Sequence, residues 1–275
     1  MALGFRNSYL KIKNKTAKKW PIVPYIDYSP TFIFLLTPPY SGSTAIAKTF
    51  LTSDKVTSLT DNAEGQWLIK GMCDENRWDL NKNINNASIK SIWLREYNKK
   101  KKDCPNLNYI IEKSPPNIIR IHELIKIFPK YILIANNRNP YAFCASSINK
   151  INKYKDMNNY SKNNVLEKII STWVMVSENI IKLNNSNLDI INISYETFSD
   201  NPRKTFELIK KNNELSTLSF DVDSKIKVKK YKPQKIRNFN AEQISLLNST
   251  EIKFINNFLN NHKELMNYFH YDFIY

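Results

Sequence analysis

Residues 37 to 44, TPPYSGST, set one glycine, Gly42, among the hydroxyls of Ser41, Ser43 and Thr44, directly after the apolar run TFIFLLT. The chain has only four glycines in 275 residues, so this one marks a tight turn whose backbone N–H groups can bind an anion. Two further strand-like runs end in groups of related chemistry: EKSPPN carries Lys113, and NNRNPYAFCASS carries Arg138 ahead of Pro140 and Ser146. An arginine leaving a strand offers a rigid bidentate fork. A proline at the first helical position opens the helix. The ATP-binding loop GxxxxGK[ST] is a poor match, because Gly42 stands alone in its turn and no lysine follows it.

These turns need a scaffold, and the hydropathy pattern predicts one. TFIFLLT (31–37), KVTSL (55–59), NYIIEK (108–113), YILIAN (131–136) and LDIINIS (188–194) read as strands. Helices are predicted around 43–52, 87–98, 116–128, 140–149 and 163–184, and the C-terminal third reads as helical, with Asn248 and Glu251 spaced as an N-cap and its N3 partner. Strands alternating with helices make an α/β chain with a central parallel sheet covered on both faces, and its anion sites lie where strands end and helices begin. One domain over 31–275 is expected, preceded by a basic arm at 1–30, with a second flexible piece at the Asn/Lys-rich stretch 150–164.

Composition narrows the function classes. A formal charge of +16 suits nucleic acid, an anionic membrane surface, or an anionic small ligand or polymer. The charge gathers at 11–19, 99–102 and 225–237, and the first two runs read as solvated surface. No window holds the roughly 18 to 20 apolar residues of a membrane span, and the first residues lack the apolar core of a signal peptide, so a soluble, cytoplasmic protein is expected. Cys73, Cys104 and Cys144 lack CxxC spacing and have few histidines to join, so they read as buried thiols, and no metal site is expected.

The first turn resembles the short phosphosulfate-binding loop of sulfotransferases, and YILIANNRNPYAFCASS resembles their second signature, a strand followed by Arg-x-Pro and a serine. IIEKSPPNIIRIHELIKIFPKYILIANNRNP looks like the run in tyrosylprotein and carbohydrate sulfotransferases in which a lysine follows a strand and a helix ending in Phe-Pro leads to the arginine strand. ISYETFSDNPRKTFELI matches a later segment, where Glu196 is expected to anchor a turn and Pro202 to start a helix. The resemblance covers most of 31–210. It implies the P-loop-like sulfotransferase fold and transfer of a sulfuryl group from 3′-phosphoadenosine 5′-phosphosulfate to a hydroxyl acceptor: carbohydrate, tyrosine, lipid or small alcohol. By the same resemblance, Tyr40, Ser41, Gly42, Ser43 and Thr44 hold the 5′-phosphosulfate, Arg138 and Ser146 hold the 3′-phosphate, and Lys113 meets the leaving phosphate and the transferring group.

The acceptor also needs a base. The Lys-Thr-His of cytosolic sulfotransferases is Lys113-Ser114-Pro115 here, which excludes a histidine at that place. Glu64, about twenty residues beyond the loop, matches the glutamate of the tyrosylprotein type, a carboxylate able to accept a proton. His122 reads as a partly buried helix residue. One departure concerns the loop cation that the family places before Ser-Gly, where this chain has Tyr40. Either the charge is supplied elsewhere, with Lys48 or the 225–237 cluster as candidates, or activity is weak or lost. Lys232, Lys235 and Arg237 are candidates for the 3′-phosphate, an acidic acceptor, or a solvated linker. Two other classes stand beside this reading. A nucleotide or polynucleotide kinase should carry Gly-Lys-Ser/Thr and a magnesium carboxylate, whereas a basic nucleic-acid-binding module accounts for the charge but not the Arg-Pro-Ser pattern.

Overall fold

The computed structural model describes residues 29–74, 76–82, 84–152, 162–228 and 232–275. The basic run 11–19 and most of the expected N-terminal arm lie outside the described residues, as does the middle of the 150–164 stretch. Five strands form one sheet among the described residues: β1 (Thr31–Leu36), β2 (Val56–Ser58), β3 (Tyr109–Glu112), β4 (Tyr131–Asn137) and β5 (Ile190–Ser194). Their order is β2-β3-β1-β4-β5, and every pair is parallel. The helices that connect and follow them are α1 (Ser43–Phe50), α2 (Asn86–Asp103), α3 (Asn117–Ile127), α4 (Pro140–Asn152), α5 (Lys162–Asn184), α6 (Tyr195–Asp200), α7 (Pro202–Ile209), α8 (Asn240–Ile244), α9 (Ser249–Leu259) and α10 (Lys263–Tyr268).

β1 is apolar on both sides because both of its faces are covered. Phe32, Phe34 and Leu36 enter a core with Trp93, Ile121, Leu133 and Val176 from α2, α3, β4 and α5. Ile33 and Leu35 point the other way, toward Ile46, Phe50, Phe198 and Phe206 from α1, α6 and α7. The period-2 alternation of a strand thus splits one continuous apolar run between two cores. Phe32 stacks on Phe128 at 4.0 Å between ring centroids, and Phe128 on Trp93 at 5.5 Å. A third core joins α4, α5 and α9 through Tyr141, Cys144, Trp173, Ile255 and Leu259.

β1 is the central strand, with β3 on one side and β4 on the other, so the chain changes direction across it. The register pairs Phe34 with Glu112 and Leu36 with Ala135, which brings the ends of β1, β3 and β4 to one edge of the sheet. In open parallel sheets ligands bind at that edge, where the strand order reverses.

Several expectations need correction. α2 extends to Asp103, so the lysine run 99–102 closes a helix, where cations oppose the negative end of the helix dipole. The described residues of 211–239, in the helical-looking C-terminal third, carry turns and one isolated antiparallel bridge, Ile226 to Gln234. That stretch is lysine-rich, lacks an apolar stripe and contains Pro233. His122 is exposed, since α3 buries Ile118, Ile121 and Leu124 and turns position 122 outward. Of the three free cysteines only Cys144 is buried; Cys73 is half-buried and Cys104 exposed.

Candidate active site

After β1 the chain turns through Thr37–Gly42 into α1. Tyr40 and Gly42 both take left-handed backbone conformations, with φ of 58° and 74°. Glycine is required at 42 for a second reason: a Cβ there would lie 2.4 Å from Cδ2 of Tyr195. The turn is tied to β4 by Asn136, whose side-chain amide donates to Thr37 Oγ1 and to the Ser41 carbonyl, each at 2.9 Å. Ser41 is fully buried, and Ser43 and Thr44 nearly so. The N–H groups of Ala45 and Ile46 donate to the Gly42 carbonyl at 2.8 and 3.2 Å, which leaves Ser43 and Thr44 at the positive end of α1.

Arg138, one residue past β4, is 3% exposed. Its guanidinium donates to the Tyr40 carbonyl at 2.7 Å, to Asn240 Oδ1 at 2.9 Å and to Gln243 Oε1 at 2.6 Å, and lies over the Tyr195 ring at 4.0 Å. Burial lowers its pKa from the ordinary arginine value, while Tyr195, Glu196 and Tyr271 pull the other way. Glu196 does anchor this corner: it accepts from the Asn139 N–H at 2.9 Å, from the Asn240 amide at 2.7 Å and from the Tyr271 hydroxyl at 3.2 Å. Burial, with Glu196 adding to it, raises the Tyr271 phenol well above its usual value. Ser146 lies half-buried on α4.

Lys113 and Glu64 are in contact. Lys113 follows β3 and is 2% exposed, and its Nζ donates to Glu64 Oε1 at 2.6 Å. The other Glu64 oxygen accepts from Gln66 Nε2 at 3.1 Å and from the indole N–H of Trp67 at 2.9 Å. Glu64 caps the short 3-10 turn Gly65–Leu68, and its backbone N–H is held by Thr60 Oγ1 at 2.9 Å. The strand end and the turn are stitched by the Lys113 N–H, which donates to the Ala63 carbonyl at 2.8 Å. A lysine so deeply buried needs a counter-charge, and Glu64 supplies it.

The basic candidates of the C-terminal region are exposed. Arg237 pairs with Glu242 and lies over the Phe239 ring, while its carbonyl accepts from the Tyr195 hydroxyl at 3.4 Å. Lys232 and Lys235 lie in the bridged stretch before it, and Lys48 is half-buried on α1.

The family model described as "Sulfotransferase family" matches residues 33–216, well over half of the chain and all of the strand ends just described. The chain belongs to the sulfotransferase family. Solved sulfotransferases share its fold. One from Alicyclobacillus acidocaldarius superposes with a TM-score of 0.53 at 10% identity, covering 88% of this chain and 96% of that one. STF9 from Mycobacterium avium superposes at 0.51 and 12% identity, covering 86% and 69%. No curated protein matches at the sequence level. No helix among the described residues of this sulfotransferase is long and apolar enough to cross a membrane.

The candidate site also contains groups beyond those expected from the sequence. Asn240 and Gln243 of α8 reach Arg138 from about a hundred residues away, a contact that only the folded chain creates. Tyr195, in the segment ISYETFSDNPRKTFELI, packs its ring against both Gly42 and Arg138. Gln66 and Trp67 could have been singled out from their closeness to Glu64 in sequence. Glu112, beside Lys113, gives no sequence signal apart from its place at the end of a strand.

Proposed function

We propose that the chain transfers a sulfuryl group from 3′-phosphoadenosine 5′-phosphosulfate to a hydroxyl acceptor, with residues 31–275 as the catalytic domain. The observation that carries this reading is the contact of Lys113 with Glu64, a cation and a carboxylate 2.6 Å apart at the strand end beside the Gly42 turn. The donor set suits a doubly anionic nucleotide: the positive end of α1, buried Lys113 and buried Arg138 gather along one edge of the sheet.

The bound donor would supply the sulfuryl group for in-line displacement. In this reading the α1 turn, Tyr40 to Thr44, and Lys113 hold its 5′ end and stabilise the charge on the leaving oxygens. Arg138 and Ser146 hold the 3′-phosphate, with Arg237, Lys232 and Lys235 as candidates at its rim. Arg138 also touches the Tyr40 carbonyl, so a guanidinium stands beside the turn that lacks a cation of its own. Glu64 accepts the proton of the approaching hydroxyl, and Lys113 orients that carboxylate. Carbohydrate, tyrosine, lipid and small alcohol all meet this chemistry. Cytoplasmic action is consistent with three free thiols.

Glu64→Gln tests the base. The release of adenosine 3′,5′-bisphosphate is followed with water as a stand-in acceptor, and the expected rate loss is about 10²- to 10⁴-fold. Binding of the bisphosphate should survive. A Glu64→Gln enzyme with full turnover would assign the proton transfer to another group.

A further inference from the structure

Glu112 ends β3 and is completely buried. A carboxylate without water is expensive unless donors surround it, and here they converge from three segments. Oε2 accepts from the Gly65 N–H at 2.6 Å. Oε1 accepts from the Ser114 N–H at 2.7 Å and from the Asn117 side-chain amide at 3.0 Å. Gly65 belongs to the turn that carries Glu64, Ser114 follows Lys113, and Asn117 opens α3. Each member of the Lys113–Glu64 pair is thus one residue from a backbone group held by the same carboxylate, or from the carboxylate itself.

The surroundings show how closely the turn is drawn in. A Cβ at Gly65 would lie 2.8 Å from Glu112 Oε2, 2.7 Å from Leu59 Cδ1 and 2.9 Å from Trp93 Cε2. The Gln66 N–H donates to Ser114 Oγ at 3.1 Å, and the Trp93 indole donates to the Gly65 carbonyl at 3.2 Å. A backbone carbonyl would have satisfied one N–H without burying an ionisable group. A carboxyl group can accept on both oxygens and so bridge two segments at once, whereas a glutamine in its place presents an N–H₂ to one of them.

We propose that Glu112 is a positioning residue whose carboxylate holds the Glu64 turn against the Lys113 strand end, keeping the two side chains in working contact without itself touching the reacting atoms. The proposal rests on Glu64 and Lys113 acting as the proton-accepting and charge-stabilising groups. Arg138 and the Gly42 turn are not attached to this clamp, so donor binding should depend on it only weakly, through Lys113.

Single variants Glu112→Gln and Glu64→Gln and the double variant are compared in the full chain. The assays are release of bisphosphate from 3′-phosphoadenosine 5′-phosphosulfate to water, calorimetry with adenosine 3′,5′-bisphosphate, and amide hydrogen exchange. Glu112→Gln should lower kcat about 10- to 100-fold, as expected from loss of alignment, with the donor KM and bisphosphate affinity within about twofold of wild type. Exchange should quicken at residues 63–67 and not at 40–44. In the Glu64→Gln background the same substitution should cost nothing more, whereas general structural damage would multiply the two losses. If Glu112→Gln does not fold, Asn117→Ala removes one donor from the same carboxylate and should show the same pattern at smaller amplitude. A wild-type rate in the variant, unchanged exchange at 63–67, or multiplicative losses would each overturn the positioning role. Failure of the wild-type chain to bind the bisphosphate would instead overturn the sulfuryl-transfer reading.

Discussion

Gly42 and Gly71 both hold positive φ, at 74° and 90°, yet a side chain would meet different things at each. At Gly71 a Cβ would approach only the flexible end of Lys82, at 3.6 Å, so alanine there brings backbone strain alone, about 1–2 kcal/mol. At Gly42 the Cβ also strikes the Tyr195 ring that lies under Arg138. Gly42→Ala should therefore lower the urea midpoint by more than Gly71→Ala and, unlike it, weaken binding of adenosine 3′,5′-bisphosphate. Equal effects of the two substitutions on binding would separate the Gly42 turn from the donor site. The charges of the site follow one pattern: Lys113 is buried against Glu64, and Arg138 is buried among the Tyr40 carbonyl, Asn240 and Gln243. Buried cations whose donors are already satisfied are held in place before any ligand arrives, which lowers the ordering cost of binding.

The helices place these groups through their ends. α9 begins with a full capping box, in which Asn248 accepts from the Glu251 N–H and Glu251 accepts from the Asn248 N–H, each at 2.9 Å. Asn248→Ala should cost about 1 kcal/mol, read as a lower thermal midpoint, with little change in donor binding. This cap was legible in the sequence, as were all five strands, because a buried parallel strand is a short, nearly unbroken apolar run. The Pro140 start of α4 and the Pro202 start of α7 were legible for a similar reason, since proline suits the first helical turn. The contact of α8 with Arg138 was not, as the five residues of this helix bury no side chain and leave no apolar stripe, although two of them grip the guanidinium. In the same way Lys113 and Glu64 were each legible only through the resemblance to family motifs, and their 2.6 Å contact depends on the parallel packing of β2 against β3 and on the left-handed Ala63 that turns the chain back.

Across the whole molecule, burial sets how stability responds to pH. Burial pushes the Glu112 carboxyl from an ordinary 4.5 up to about 7, against the pull of its donors and of Lys113. Between those values the unfolded chain gives up the proton and the folded chain keeps it. Glu112's contribution is thus complete below pH 4.5 and is lost as pH rises through about 7, a decline of roughly 3 kcal/mol. Urea titrations from pH 4.5 to 8 should show Glu112→Gln flattening that part of the profile; a wild-type slope in the variant would remove Glu112 as its source. The charge of +16 is a weaker guide, because it suits a nucleotide and a nucleic acid alike. Calorimetry with adenosine 3′,5′-bisphosphate separates the two and tests the central claim directly. The wild-type chain should bind it, and Arg138→Ala should weaken that binding about 10- to 100-fold, the loss expected when charge-assisted hydrogen bonds to a phosphate are removed. No binding by the wild type, or undiminished binding by Arg138→Ala, would contradict the assignment of this sheet edge as a sulfate-donor site.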